Sequence, residues 1–264
     1  MIEVWSVNNT DGNMPAEILT RLVSQMSAHP WWQARTTLLL KLLRKNGIKP
    51  GARILEAGCG WGTNLVALER AGYQVTGLDI SRGMLDMLDS SERRLIQADL
   101  TQPLPEDFQP YDAVVAMDVI EHIDDDNQAV RTLAQLCRPG GLVLVSVPAL
   151  PELWSEFDEI QGHRRRYLPQ TLEDAFQGSG LDKLSRFWWG GWMVPILRVQ
   201  RRFDRARRPE GLSDWELYSY YSRVPGFLGR QIMRLFFFLD HYWAPLGLNP
   251  FGTSLLMLAQ KPDK

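Results

Sequence analysis

Cysteine is scarce in this 264-residue sequence: Cys59 and Cys137 stand alone, with no CxxC pair and no Cys/His cluster. That pattern excludes a disulfide-stapled scaffold and a structural zinc site, and it suits a reducing compartment. Metal ligands are therefore not expected. Long hydrophobic runs are lacking too. The longest strongly apolar run, Leu235 to Leu239, ends at Asp240 and His241, far short of the ~20 residues that span a bilayer. The N-terminus is polar and shows no signal-peptide pattern, so a cytoplasmic location is expected. Charge of one sign is also missing. Lys and Arg number 29 against 31 Asp and Glu, a net charge of −2. This excludes a broad nucleic-acid footprint, and no nucleic-acid partner is expected. What the chain has is 45% hydrophobic residues, ample for one globular domain with additions.

The chain is organised around Arg53-Ile-Leu-Glu-Ala-Gly-Cys-Gly-Trp-Gly62. An apolar strand pattern (Ile54, Leu55) reaches one carboxylate, Glu56, then a glycine turn (Gly58, Gly60, Gly62), then a helical pattern from Leu65 to Leu68. Strand, tight turn and helix in that order open a nucleotide-binding βαβ unit. Before it, residues 1–15 read as a loose arm, and residues from about Ala16 to Asn46 as a helix in two pieces broken at His29-Pro30. Leu38, Leu39, Leu42 and Leu43 fall on one face of the second piece, and Gly47 sits where a C-cap belongs. Trp31, Trp32 and Arg35 open that piece. They read either as core anchors or as a flap over a ligand, with Arg35 pairing with a carboxylate.

Further strands follow at Gln74–Asp79, Leu95–Ile96, Tyr111–Met117 and Leu142–Val147, separated by helical patterns. One helix runs from about Asp124 to Cys137, stopping at Arg138-Pro-Gly-Gly141. This alternation argues an α/β, doubly wound parallel sheet, with the ligand at the carboxyl ends of its strands. Asp79 ends the second strand, 19 residues beyond Gly60, where an acid accepts hydrogen bonds from ribose hydroxyls. Nicotinamide enzymes use Gly-x-Gly-x-x-Gly under a pyrophosphate. Here the spacing is Gly-x-Gly-x-Gly, and Glu56 beside the turn repels phosphate but welcomes an ammonium group. No Walker lysine follows. The ligand so described has an adenosine-like half, a cationic half and no phosphate, and S-adenosyl-L-methionine fits it. An NAD(P)-dependent oxidoreductase is disfavoured by the same features. A protein that binds S-adenosylmethionine as a sensor or partner subunit, without turnover, is the other alternative.

Glu56 to Gly62, Gly77-Leu-Asp-Ile-Ser81, Ala98-Asp-Leu100, Tyr111-Asp112 to Glu121-His122 and Pro139-Gly-Gly141 together resemble successive motifs of class I S-adenosylmethionine-dependent methyltransferases. The small-molecule branch that includes the ubiquinone-biosynthesis enzymes is the one they resemble most. The resemblance covers about residues 30–180. It implies a seven-stranded, mostly parallel, Rossmann-like sheet, with two strands after residue 148 and the last one antiparallel, for which Thr253 to Ala259 is the candidate. It further implies that Glu56 with the Gly58-Cys59-Gly60 backbone holds the methionine end of the cofactor and that Asp79 holds the ribose. Ile80 would then pack on the adenine, with Asp99 and Leu100 at its edge, and Met117 and Asp118 would line the methyl side. Apart from the resemblance, the flap reading of the Trp31-Trp32-Arg35 stretch would have Trp32 and Arg35 complete the cofactor pocket.

After the fifth strand, Val147 to Tyr167 leaves the carboxyl end of a central strand and is placed to form the lip of the site. It resembles a Trp-Ser-x-x-Asp…Gly-His-x-Arg-Arg-Tyr stretch of some bacterial methyltransferases. His163 and Tyr167 are candidates to orient or deprotonate an acceptor, and Arg164 and Arg166 to bind an anionic group on it. The alternative is a loop that folds back onto Asp158 and Glu159. His122 is a third candidate for the chemistry. From Phe187 to Asn249 the composition shifts to aromatics and arginines: seven arginines lie between residues 186 and 208 against one acid, Asp204. That mixture suits either a helical lid with a solvated basic face or peripheral membrane contact through residues 188–243. The segment Phe227–Trp243 is apolar nearly all round, which places it inside the lid, at a dimer contact or in lipid. The expected division is residues 1–46 as N-terminal helices and flap, 47–186 as the cofactor-binding core, 187–250 as a helical cap, and 251–264 as the last core strand and tail. The expected partner is a small-molecule methyl acceptor, apolar, aromatic or lipid-like. Methyl transfer by in-line displacement needs alignment, exclusion of water and a proton acceptor. The sequence carries no signal that sets the oligomeric state.

Overall fold

The computed structural model describes residues 2–6, 29–89, 93–206, 213–223 and 226–263. The helical piece expected from about Ala16, and Arg207 and Arg208 of the basic stretch, lie outside them. Eight strands form one sheet: β1 (Ile2–Val4), β2 (Arg53–Ala57), β3 (Gln74–Asp79), β4 (Arg94–Gln97), β5 (Tyr111–Met117), β6 (Cys137–Pro148), β7 (Asp182–Trp189) and β8 (Ser254–Gln260). Their order across the sheet is β1-β4-β3-β2-β5-β6-β8-β7. Strands β1 to β6 pair in parallel, while β8 runs antiparallel between β6 and β7. The α/β, doubly wound, mostly parallel sheet is thus present, with one strand more than the seven expected. The extra strand, β1, corrects the reading of the N-terminus as a loose arm: Ile2 packs into a small cluster with Leu95 and Leu85, and Glu3 forms a bidentate pair with Arg94.

Sequence pattern and burial agree in the central strands. Ile54, Leu55, Ala113 to Ala116 and Leu142 to Val145 are buried, because helices cover both faces of the sheet. The helices are α1 (Pro30–Lys45), α2 (Thr63–Arg70), α3 (Arg82–Leu88), α4 (Asp126–Leu136), α5 (Glu156–Ile160) and α6 (Pro169–Ala175), then α7 (Met193–Ala206), α8 (Asp214–Tyr221) and α9 (Phe227–Trp243). Leu38, Leu39, Leu42 and Leu43 of α1 are all buried, and Gly47 beyond its end has φ of +80°, the left-handed conformation a helix terminus favours. Helix α4 starts at Asp126, after Asp125 accepts from the Gln128 N–H at 2.8 Å. The helix ends at Leu136, one residue before the expected end, and Arg138-Pro-Gly-Gly141, expected as its stop, lies within the first residues of β6.

Residues 187–250 divide differently from the expected cap. Phe187 to Trp189 complete β7. Helix α9 lies along α1: the Lys41 ammonium donates to the His241 carbonyl at 2.9 Å, and His241 Nε2 meets the Ala34 carbonyl at 2.9 Å. Only Phe237, Asp240 and His241 of α9 are buried, while Phe227, Leu228, Leu235 and Phe238 are each more than half exposed. Burial inside a lid is therefore not its situation. No described helix is long and apolar enough to cross a membrane.

Candidate functional site

A cavity of about 440 Å³ opens at the carboxyl ends of β2, β3, β4 and β5. The turn after β2 shapes its floor. Gly58 (φ +70°) has no room for a side chain, since a Cβ would stand 2.5 Å from Val119 Cγ2. Its N–H and that of Cys59 donate to the Leu78 carbonyl at 2.7 and 3.0 Å, fastening the turn to β3. Asp79 at the end of β3 accepts from the Gly60 N–H and the Ser81 N–H, each at 2.8 Å. Burial raises its pKa, and those backbone donors oppose the rise. Glu56 is buried with Oε2 lacking a hydrogen-bond partner among the described residues. Burial pushes its carboxyl up to about 8, partly offset by hydrogen bonds from Asn64 and Leu65. Such a group gains from a cation brought beside it.

Of the residues expected to hold the cofactor, Trp32, Glu56, Gly58, Cys59, Gly60, Asp79, Ile80, Asp99, Leu100, Met117 and Asp118 line this cavity. Asp99 accepts from the Thr101 N–H and hydroxyl at 2.8 Å. Asp118 adopts φ of +58°, a left-handed conformation that costs a non-glycine residue free energy and is held only by its surroundings. Here the holding contact is Arg35, whose guanidinium meets Asp118 Oδ2 at 2.5 Å and also donates to Ser146 and Ser254. Arg35 itself is buried against Trp31 and does not line the cavity. The carboxylate it pairs with is thus the protein's own, and its place is behind the wall rather than in a flap.

The other end of the cavity is assembled from distant segments. His122 follows β5. His163 comes from the segment after β6, which is drawn back when the Arg164 N–H donates to the Glu121 carbonyl at 2.7 Å. The two imidazoles meet edge to face, 4.8 Å between centroids, and both line the cavity. His163 Nδ1 lies 3.0 Å from Asp158 Oδ1, which also accepts from Arg166 at 2.7 Å. Burial raises the Asp158 carboxyl, but His163 and Arg166 outweigh it and bring the group down to about 2. Burial, then the neighbouring His163, lower His122 to about 4, so its ring is neutral at pH 7. Glu121 is wholly buried beside them, and burial together with Asp118 drives its carboxyl well upward.

Tyr167 is displaced from the expected site. It is fully buried, its hydroxyl donates to Asp126 Oδ2 at 2.7 Å, and it does not line the cavity. Arg164 is half exposed and faces Asp124 at 3.5 Å. Arg166 does line the cavity, as does Arg201 of α7, which approaches Asp158 at 3.6 Å. Sequence reasoning did not single out Phe157, Gln161, Tyr218 or Tyr221, which with Met193 and Leu197 give this end an aromatic and apolar wall. The Phe157 and Tyr218 rings, 5.1 Å apart, join α5 to α8; no local pattern announces such a long-range contact.

Comparison with known proteins places this geometry. The profile of a family described as a methyltransferase domain matches residues 31–186, more than half of the chain. A ubiquinone biosynthesis O-methyltransferase of Leptothrix cholodnii is 31% identical over 136 residues, 45% of this chain and 58% of that protein. Another, of Xanthomonas campestris, is 37% identical over 107 residues, 37% of this chain and 43% of that protein. The chain spans about half the length of these curated relatives. Among solved structures, Haemonchus contortus phosphoethanolamine N-methyltransferase 2, in complex with S-adenosyl-L-methionine, aligns with a TM-score of 0.52 at 18% identity over 86% of this chain and 52% of that one. This last likeness is one of fold. With the sheet order, the glycine turn and the family profile in agreement, the chain belongs to the methyltransferase-domain family, in its class I, S-adenosylmethionine-dependent form.

Proposed function

We propose that the chain transfers the methyl group of S-adenosylmethionine to a small-molecule acceptor. The observation that carries this reading is the run of carboxylates along one cavity wall, Glu56, Asp79 and Asp99, at the ends of neighbouring strands with no basic residue among them. A pyrophosphate would be repelled there, whereas an ammonium, a ribose and an adenine amino group each find an acceptor. In this assignment Glu56 and the Gly58–Gly60 backbone take the methionine end, Asp79 the ribose, Ile80 and Leu100 the faces and edge of the adenine, and Asp99 its amino group. Trp32 and Cys59 close the pocket, Met117 and Asp118 stand beside the sulfonium, and Arg35 acts by fixing Asp118.

A sulfonium methyl is already electrophilic, so the protein's task is to align the acceptor with the S–CH3 bond and keep water out. Alignment alone supplies up to ~7–11 kcal/mol. In this reading the aromatic wall from Phe157 to Tyr221 excludes water, and His122 and His163, which both border the cavity, orient the nucleophile and handle its proton. Residues 47–186 serve as the cofactor-binding core, and α7 and α8 as the cap over the acceptor. Calorimetric titration with S-adenosylmethionine tests the reading, with S-adenosylhomocysteine formation as its turnover arm. Binding of NADH in place of S-adenosylmethionine would sink it, and binding without turnover on any acceptor panel would favour the sensor alternative.

A membrane surface is the partner we propose for α9. Its exposed face carries Phe227, Leu228, Leu235, Phe236 and Phe238 with Arg234, and its one acid, Asp240, is buried. An apolar face with cations and no exposed acid fits an anionic lipid interface. Such an address would deliver a lipid-like acceptor to the cavity mouth. Co-flotation with vesicles containing phosphatidylglycerol, and its loss in Phe227→Ser/Leu235→Ser, is the expected result; equal behaviour with and without vesicles would remove the membrane from the account.

A further inference from the structure

We propose that Arg166 and Arg201 form a subsite for a phosphate group carried by the methyl acceptor, which makes the acceptor an anionic amphiphile. Both side chains line the acceptor end of the cavity and are largely buried, at 8% and 12% exposure. They come from different elements, the segment before α6 and helix α7, and converge on one carboxylate. Arg166 donates to Asp158 Oδ1 at 2.7 Å, and the Arg201 guanidinium stands 3.6 Å from Asp158 Oδ2. Asp158 is fully buried behind the wall and does not itself line the cavity. Its oxygens are shared further with His163 Nδ1 at 3.0 Å and the Ser155 N–H at 2.9 Å. One carboxylate thus holds two guanidiniums side by side, and its single charge balances only one of them. An anion that enters the cavity meets both already oriented, and guanidinium forks suit phosphate oxygens.

The second observation is the division of charge along the cavity. At the cofactor end the charged groups of the lining are carboxylates, Glu56, Asp79 and Asp99, whereas at the acceptor end they are Arg166 and Arg201, beside the imidazoles of His122 and His163. Asp118 stands between the two ends, and Arg35 holds it from behind the wall. A substrate with one negative group is oriented by this field, its anion toward the guanidiniums and away from the carboxylates. His163 shares Asp158 with Arg166, so an anion anchored there presents the adjoining part of the acceptor to the imidazoles.

Helix α7 shows where the rest of the acceptor lies. Met193, Leu197 and Arg201 succeed one another a turn apart and line the cavity, so the cationic subsite continues into an apolar wall. On the other side of α7, Ile196, Val199 and Phe203 are each more than half exposed. A surface helix ordinarily turns one apolar stripe to the core, but α7 has a second on the outside. With the exposed face of α9, that outer stripe suits the lipid interface from which an amphiphile would reach the cavity.

This deepens the methyltransferase reading and rests on it for calling the ligand the methyl acceptor. Calorimetric titration of hexyl phosphate into the full chain tests the subsite, with hexanol as the neutral probe and inorganic phosphate as the one without a tail. Hexyl phosphate is expected to bind more tightly than either. Arg201→Gln is expected to weaken it about tenfold or more, the loss of one charge-assisted hydrogen bond, with partial recovery in Arg201→Lys, and Arg166→Gln is expected to weaken it likewise. Arg164→Gln, at the neighbouring arginine that faces Asp124 outside the cavity, leaves it unchanged. Circular dichroism shows whether each variant is folded, and two separate arginines keep the result readable if one variant is not. Equal hexyl phosphate affinity in the wild type and both glutamine variants, equal affinity for hexanol, or no saturable binding by the wild type overturns the proposal. Inorganic phosphate bound as tightly as hexyl phosphate makes the anion free phosphate rather than a group of the acceptor, and overturns it too. S-adenosylhomocysteine is titrated into the same samples. Its binding without hexyl phosphate binding removes the subsite alone. Hexyl phosphate binding without it leaves an anion site and overturns the methyltransferase reading.

Discussion

The two ends of the cavity are built by different means. The cofactor end is made mostly of turns that leave adjacent parallel strands, so apart from Trp32 on α1 its residues sit within the span 56–118 and their positions follow from the backbone. Gly58 is there because any side chain would collide with Val119, and Asp79 because its two oxygens tie down the Gly60 and Ser81 amides. The acceptor end is a meeting of side chains from several elements: His122 after β5, His163 before α6, Leu197 and Arg201 on α7, Tyr218 on α8, Ser254 on β8. A cofactor common to a family requires a rigid frame. On the proposed assignment, acceptor recognition falls on segments that can change without disturbing the sheet.

Substitutions should separate the two ends cleanly. The largest effect is expected at Asp79→Ala, which removes charge-assisted acceptors from the ribose and frees the Gly60 and Ser81 amides. At about 1.5–3 kcal/mol per charged hydrogen bond, cofactor affinity should fall by roughly 100-fold, measured by calorimetry; an unchanged dissociation constant would place the ribose elsewhere. His163→Ala should do the opposite. Turnover falls by about 10²-fold, the lower range for a group that handles a proton, while the S-adenosylmethionine dissociation constant stays at the wild-type value. A His163→Ala enzyme with wild-type turnover would mean that the imidazole serves only to hold Asp158.

The same division governs what could be read without coordinates. That Glu56, Gly58 and Asp79 border the cavity was legible because strand periodicity, a turn and an acid at a strand end are local signals, whereas Asp99 entered through the family resemblance. Sheet class was legible for the same reason, whereas β8 as the antiparallel insertion followed from the family resemblance. Strand β1 has three residues, too few to show a period. Tyr167 was misplaced because its partner, Asp126, is 41 residues away. Residue type shows that a phenol can handle a proton but not which way it points. His122 and His163 lie just as far apart in sequence, and no local pattern announces that their rings meet. For helix α9 composition left burial in a lid, a dimer contact and lipid open, and the structure removes the first, since only Phe237, Asp240 and His241 turn inward.

A smaller effect tests the electrostatics of the cofactor end. The Glu56 carboxyl lies at about 8 instead of 4.5, so its ionisation opposes folding of the ligand-free protein, and stability falls as pH rises from about 4.5 toward 8. An ammonium group binds the ionised form. The apparent cofactor dissociation constant should therefore fall as pH rises from 6, by up to about tenfold per unit, and level off past pH 8. Glu56→Gln should abolish that slope. A flat profile in the wild type would show that the cation does not sit beside Glu56.

The smallest effect on chemistry is expected at Tyr167→Phe, and it sharpens where the acceptor end stops. The phenol donates to Asp126, which also pairs with Arg165 at 3.0 Å. Removing the hydroxyl leaves a half-buried carboxylate short of one donor, at a cost of about 1–3 kcal/mol, nearer the lower figure because Arg165 remains. The urea midpoint should move down accordingly with its slope unchanged, while turnover stays within about twofold of the wild type, because the ring does not line the cavity and its hydroxyl is turned to Asp126. A tenfold loss of turnover at an unchanged urea midpoint would bring Tyr167 back into the acceptor chemistry. The boundary between site and scaffold would then have to be redrawn to include the segment from β6 to α6.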